Sequence, residues 1–201
     1  MTRVKFCGLS GLCDIDFANE LRPEYIGFVF YAKSRRYVSP EQAEIFRENL
    51  AREILSVGVF VDEDLKIVAA LANSGVIDMI QLHGCEDCEY ILRLRELTGA
   101  KIIQAFKIRS SSDIFAANCS IADYVLLDAG TGTGRKFDWE LVSGIRREYF
   151  LAGGLNPENI SDAVRDLNPF AVDVSSGIES NGAKDFAKMR EFISKVRCEN
   201  E

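Results

Sequence analysis

The 201 residues are 47% hydrophobic and 27% charged, with a formal net charge of −7 at pH 7. That apolar share is enough for a substantial core, while the negative balance opposes the general attraction on which nucleic-acid and anionic-membrane binders rely. No apolar stretch approaches the roughly 20 residues of a membrane span, and the opening MTRVKF has no apolar segment of signal-peptide length, so a cytoplasmic protein is expected.

Eight short apolar runs read as buried strands, beginning every 22–29 residues. The first, RVKFCGL from Arg3, ends on Cys7 and Gly8. The second, YIGFVF from Tyr25, opens into the basic stretch KSRR at 33–36, after which Ser39 and Pro40 announce a helix over SPEQAEIFRENL. ILSVGVFV follows from Ile54. MIQLHG from Met79 carries Gln81 and His83 and runs into HGCEDC, with Cys85 and Cys88. KIIQAFKI starts at Lys101, and YVLLDAG from Tyr124 ends on Asp128. YFLAGGL from Tyr149 holds Gly153 and Gly154, and NPENISDAVRDL repeats the helix-start signal with Asn156 and Pro157. AVDVSSGI from Ala171 holds Asp173, Ser175, Ser176 and Gly177. The last helix, AKDFAKMREFISKV, puts Phe186, Met189, Phe192, Ile193 and Val196 on one face.

Strand then helix, eight times, with strands apolar throughout, implies a parallel sheet covered by helices. Eight units favour a single-domain (β/α)8 barrel over residues 1–201, although an open doubly wound sheet fits the same alternation. In a barrel the ends of the strands build the active site, and here they carry Cys7, KSRR, Gln81, His83, Asp128, the glycine pair and the Asp173 segment.

AGGL and VSSGIE remove side-chain bulk from neighbouring loops so that backbone N–H groups can approach an anion; either alone would be an ordinary tight turn. An arginine of KSRR aimed over the barrel mouth suits a carboxylate, whereas elsewhere the run would be a solvated patch. Asp128 follows three apolar residues, where partial burial favours its protonated form and equips it as a general acid; its bland alternative is a structural acid capping the loop. Cys7 would act as the matching base if local positive charge favours its thiolate, or pack as a small hydrophobe if not. HGCEDC resembles metal-ligand spacing, but no second CxxC exists and His83 is the sole histidine, so Cys119 would have to complete a site. Helix-start and core cysteines are the simpler reading, and six cysteines without an export signal are expected to be reduced.

The motifs VKFCGL, GFVFYAKSRRYVSPEQA, VGVFV, QLHG, LLDAGTGTGRKFDW, LAGGLNPENI and FAVDVSSGIESNGAKD, in this order, resemble the phosphoribosylanthranilate isomerases from Arg3 to about Val196. The resemblance implies an Amadori rearrangement in tryptophan biosynthesis, without cofactor or metal. Asp128 would be the general acid and Cys7 the general base. Arg36 would take the anthranilate carboxylate, and Gly153, Gly154, Ser176 and Gly177 the phosphate. Gln81, His83 and Asp173 would line the pocket. The implied partner is a small phosphorylated substrate, and the chain would act as a monomer or homodimer.

One departure from the family pattern is the short stretch after Asp128, with Thr131 where a glycine is usual, which bears on how the substrate is covered. Trp139 is expected to pack a helix. An alternative is a related isomerase of histidine biosynthesis, expected to have an aspartate in place of Cys7 and a second phosphate site, or an isomerase acting on both substrates. A non-catalytic or metal-binding barrel is the remaining alternative.

Overall fold

The computed structural model describes residues 1–128 and 139–200. The short stretch after Asp128, with Thr131, and the side chain of Trp139 lie outside the described residues. Eight parallel strands close into a barrel in sequence order: β1 (Arg3–Cys7), β2 (Tyr25–Val29), β3 (Leu55–Phe60), β4 (Met79–Leu82), β5 (Lys101–Lys107), β6 (Tyr124–Asp128), β7 (Tyr149–Ala152) and β8 (Ala171–Val174). The helices between and after them are α1 (Leu12–Leu21), α2 (Pro40–Asn49), α3 (Leu65–Asn73), α4 (Cys88–Leu97), α5 (Ser111–Cys119), α6 (Trp139–Val142), α7 (Ile160–Leu167) and α8 (Phe186–Cys198). Pairing of Arg3 through Phe6 with Ala171 through Val174 closes the ring, which rules out the open sheet.

Two apolar layers hold the barrel. Between strands and helices lies the larger, including Phe6, Phe28, Phe60 and the Met189, Phe192, Ile193 and Val196 face of α8. Within the barrel, Tyr25, Val57, Met79, Ile103, Leu126 and Phe150 fill the lower half. Successive residues of a strand point to opposite faces, so each strand has one inward parity. Two residues above Tyr25 that parity brings in Gly27; above Met79 it brings Gln81, and above Leu126 it brings Asp128. The apolar plug is therefore the floor on which the polar ring stands.

Local chemistry sets the helix starts. Ser39 accepts from Gln42 N while Gln42 bonds back to Ser39 N, a capping box with Pro40 in the first turn. The expected start at Asn156 and Pro157 moves three residues on: α7 begins at Ile160, with Asn159 at its N-cap. The reason is a side-chain turn, in which Asn156 Oδ1 accepts from the N–H groups of Glu158 and Asn159 at 3.0 and 3.1 Å. Asn159 then spends its own amide on Gly154, donating from Nδ2 to that carbonyl at 3.0 Å. No helix among the described residues is long and apolar enough to cross a membrane.

After β8 the chain makes a 3-10 turn (Ser176–Ile178) and a small antiparallel hairpin of β9 (Glu179–Ser180) and β10 (Ala183–Lys184). This hairpin lies beside the mouth of the barrel, as its ion pairs show below.

Candidate active site

A cavity of about 520 Å³ opens at the C-terminal ends of the strands. Cys7, Arg36, Gln81, His83, Asp128, Asp173, Gly153, Gly154 and Ser176 all line it. Of the residues expected from sequence to form the site, only Gly177 is not in the lining. It packs one residue behind Ser176, where a Cβ would stand 1.9 Å from the Leu155 carbonyl oxygen, so its lack of a side chain lets the β8 loop lie directly against the β7 loop.

Cys7 is the last residue of β1 and is buried. Its carbonyl accepts from Ser175 Oγ at 3.0 Å, and its partner in the ladder is Gly27. Gly8 follows at φ +74°, and a Cβ there would lie 2.3 Å from Arg36 Cδ. This glycine is required both by backbone conformation and by the closeness of Arg36. From sequence, its use as a base depends on local positive charge. Burial pushes the thiol above its ordinary value; Lys5 and then Lys184 pull it down, but only in part, and Asp173 adds to the rise.

Lys5, two residues before Cys7, is wholly buried and donates to Asp173 Oδ1 at 2.9 Å. Burial works against its charge, yet Asp173 and Cys7 outweigh it and hold the ammonium above the ordinary lysine value. Lys5 escaped the sequence reading, although a lysine between Val4 and Phe6 in an otherwise apolar strand was the available signal. Asp173, expected to line the pocket, does so while serving as the counter-ion of Lys5.

Across the cavity, Asp128 ends β6 with Oδ2 3.5 Å from His83 Nε2. His83 Nδ1 is 2.9 Å from Gln81 Nε2. With the amide donating, Nδ1 is the acceptor and the ring proton sits on Nε2, facing Asp128. Gln81 Oε1 is buried without a hydrogen-bond partner among the described residues.

Arg36 sits in a loop folded by two tight turns, Ser34 N to Tyr31 O and Tyr37 N to Ser34 O. Its Nε and Nη2 donate to the two carboxylate oxygens of Glu179 at 2.6 and 3.0 Å. Arg35 and Lys184 bind the same carboxylate at 2.6 and 3.0 Å. Burial disfavours the charge of Glu179, but Arg36 and Lys184 more than compensate and hold it below the usual glutamate range. Lys184 is pulled below the ordinary lysine value by burial, which Glu179 offsets only in part. Glu179 and Lys184 also went unnoticed in the sequence; the importance of Glu179 lies in contacts with a loop 143 residues away, and Lys184 joins it through the same carboxylate.

The glycine pair after β7 takes two consecutive left-handed conformations, Gly153 at φ +96° and Gly154 at φ +67°. The side-chain-free turn faces the cavity opposite Ser176 of the next loop. Cys85 and Cys88 are exposed, as is Cys119 on α5, which corrects the expectation that some of these thiols belong to the core. Among the described residues no three His, Cys, Asp or Glu side chains come together as metal ligands.

Residues 4–195 match the family model described as N-(5'phosphoribosyl)anthranilate (PRA) isomerase. The chain is 46% identical over 200 residues to the N-(5'-phosphoribosyl)anthranilate isomerase of Clostridium kluyveri, covering 98% of each chain. Phosphoribosyl anthranilate isomerase from Thermotoga maritima superposes with a TM-score of 0.90 at 38% identity, over 98% of this chain and all of that one. A structure of phosphoribosyl anthranilate isomerase in complex with reduced 1-(o-carboxyphenylamino)-1-deoxyribulose 5-phosphate gives a TM-score of 0.87 at 37% identity, over 98% and 100% of the two chains. Taken with the barrel and the polar ring at its mouth, these likenesses show that the chain belongs to the phosphoribosylanthranilate isomerase family.

Proposed function

We propose that this cavity converts N-(5-phosphoribosyl)anthranilate into 1-(2-carboxyphenylamino)-1-deoxyribulose 5-phosphate by general acid–base catalysis, with Asp128 as acid and Cys7 as base. The observation that carries the reading is that an acid and a thiol from distant strands line one cavity of a size suited to a small ligand, beside a glycine turn open to an anion.

The chemistry is an internal redox exchange between C1 and C2 of the sugar. Asp128 protonates the furanose oxygen as the C1–O bond breaks, and the lone pair on the anthranilate nitrogen forms the C1=N bond of a Schiff base. Cys7, as thiolate, removes the C2 proton; the electrons of that C–H bond become the C1=C2 bond of an enolamine, and the nitrogen recovers its lone pair. Loss of the C2 hydroxyl proton and protonation at C1 yield the aminoketose. No external oxidant or reductant enters the balance. The ring proton of His83 faces Asp128 and would hold the acid in place.

Arg36 would meet the anthranilate carboxylate through the edge that Glu179 does not occupy, while Gly153, Gly154 and Ser176 would hold the phosphate and Gly177 would let their two loops lie together. The unpartnered acceptor of Gln81 suits a donor of the ligand. The relative solved with the reduced product analogue supports a phosphorylated ligand carrying an aryl carboxylate. The chain would work in the cytoplasm as one barrel unit, monomeric or homodimeric.

Turnover of freshly generated phosphoribosylanthranilate, followed by loss of anthranilate fluorescence, tests the assignment. Cys7→Ser and Asp128→Asn are each expected to lower kcat at least about a hundredfold, with unchanged circular dichroism. A kcat close to wild type in either variant removes that residue from its role.

A further inference from the structure

We propose that Lys5, kept ionised by Asp173, supplies the charge that makes Cys7 available as a thiolate, so that a buried ion pair tunes the base. The proposal rests on Cys7 acting as base and adds a positioning residue to it.

Geometry is the argument. Lys5 and Cys7 share the inward parity of β1, and Lys5 is aligned in the ladder with Asp173 while Cys7 is aligned with Gly27. The point that a Cβ of Gly27 would occupy lies 2.8 Å from Cys7 Sγ and 3.2 Å from Lys5 Nζ. Ammonium and sulfur thus flank one gap that only a glycine leaves open. Lys5 is 0% exposed and donates to Asp173, so in this interior its charge is screened little by water. Apolar strand positions are costly places for a lysine, and a purely structural filler would be better served by leucine or methionine. Burial raises the thiol while Lys5 is the strongest influence opposing it, which agrees with the placement.

Other charges face the thiol. Lys184 comes from β10, where its contacts to Glu179 and the Ser175 carbonyl at 3.0 Å tie it down. Arg36 stands beyond Gly8 and is engaged by the same Glu179. His83 and Asp128 stand across the cavity. Of these groups, Lys5 alone lies on the strand of Cys7 and at the gap over Gly27.

The test is a pH titration of Cys7 by thiolate ultraviolet absorbance, taken as the difference between each protein and its Cys7→Ser counterpart, together with kcat/KM across the same range. In the double variant Lys5→Met, Asp173→Asn the pair is removed without leaving a lone buried charge. Because Asp173, which raises the thiol, leaves together with Lys5, the midpoint is expected to rise by less than about one pH unit. In Lys5→Gln, which keeps Asp173 and gives it a donor, the midpoint is expected to rise by about one pH unit or more, with kcat/KM near neutrality falling about tenfold and recovering as pH approaches the new midpoint. An unmoved midpoint in folded Lys5→Gln overturns the proposal. So does activity lost equally at every pH, the mark of a structural role. Should Cys7→Ser retain full activity, the base assignment itself fails, while the absorbance titration still reports whether Lys5 tunes the thiol.

Discussion

Replacing Gly8 by alanine should damage substrate binding more than chemistry. The backbone at Gly8 is left-handed, which costs an L-residue about 1–2 kcal/mol. For a chain of this size that corresponds to a Tm lower by about 2–8 °C. The new Cβ would also stand 2.3 Å from Arg36 Cδ, in the middle of a side chain whose head is pinned by two bonds to Glu179. Arg36 must therefore shift from the cavity edge. Losing a charge-assisted hydrogen bond to the substrate carboxylate costs about 1.5–3 kcal/mol, roughly a tenfold to hundredfold rise in KM. On the other side, Gly8 N is held to the Gly27 carbonyl at 2.9 Å, which anchors Cys7 and should keep kcat within about threefold. Steady-state fluorescence kinetics and a thermal melt measure all three quantities. An unchanged KM in Gly8→Ala would refute the reasoning, as would a loss confined to kcat.

Glu179→Gln should also act through Arg36, raising KM about tenfold because the guanidinium loses a charged clamp, with kcat much less affected. A lower KM would mean that Glu179 competes with the substrate carboxylate for Arg36, which steady-state kinetics decides directly. Stability should decline in alkali. Burial pushes the phenols of Tyr90 and Tyr149 up from 10.0 to about 12, so the unfolded chain releases protons that the folded one retains, and stability falls as pH rises from about 10. Lys5 adds in the same direction: its folded value is raised, so its contribution is intact below 10.5 and lost as pH climbs through that higher value. A urea midpoint that stays constant from pH 10 to 12 would contradict both.

How much of this was legible depended on how local its cause is. Strands buried on both faces read as continuous apolar runs, so the third run from Ile54 and the observed strand from Leu55 differ by one residue. The Ser39, Pro40 and Gln42 start was legible because all its contacts fall within one turn. At Asn156 the same signal misled: its side chain closed a turn, and Asn159 took over the cap. The strand-end rule gathered Cys7, Asp128 and the glycines without any knowledge of distances. What stayed hidden was pairing across the sequence. Nothing near Lys5 names Asp173 as its counter-ion, and nothing near Arg36 names Glu179. The state of the Cys7 thiol was open in the sequence for the same reason, since burial and charge pull against each other there and only the packed barrel sets their balance.

The bond between Lys5 and Asp173 spans 168 residues, so the chain must wait for its own far end before it can satisfy its beginning. At ribosomal speeds of about 5–20 residues per second, that wait is on the order of 10–30 s. Throughout it the first strand emerges with one edge unpaired and a lysine facing water, a state in which the apolar ladder around Cys7 is open to other chains. Until the eighth strand is made, burying Lys5 would leave its charge without the Asp173 carboxylate, which is costly. The first strand therefore reaches its fully paired burial only once the last strand is present.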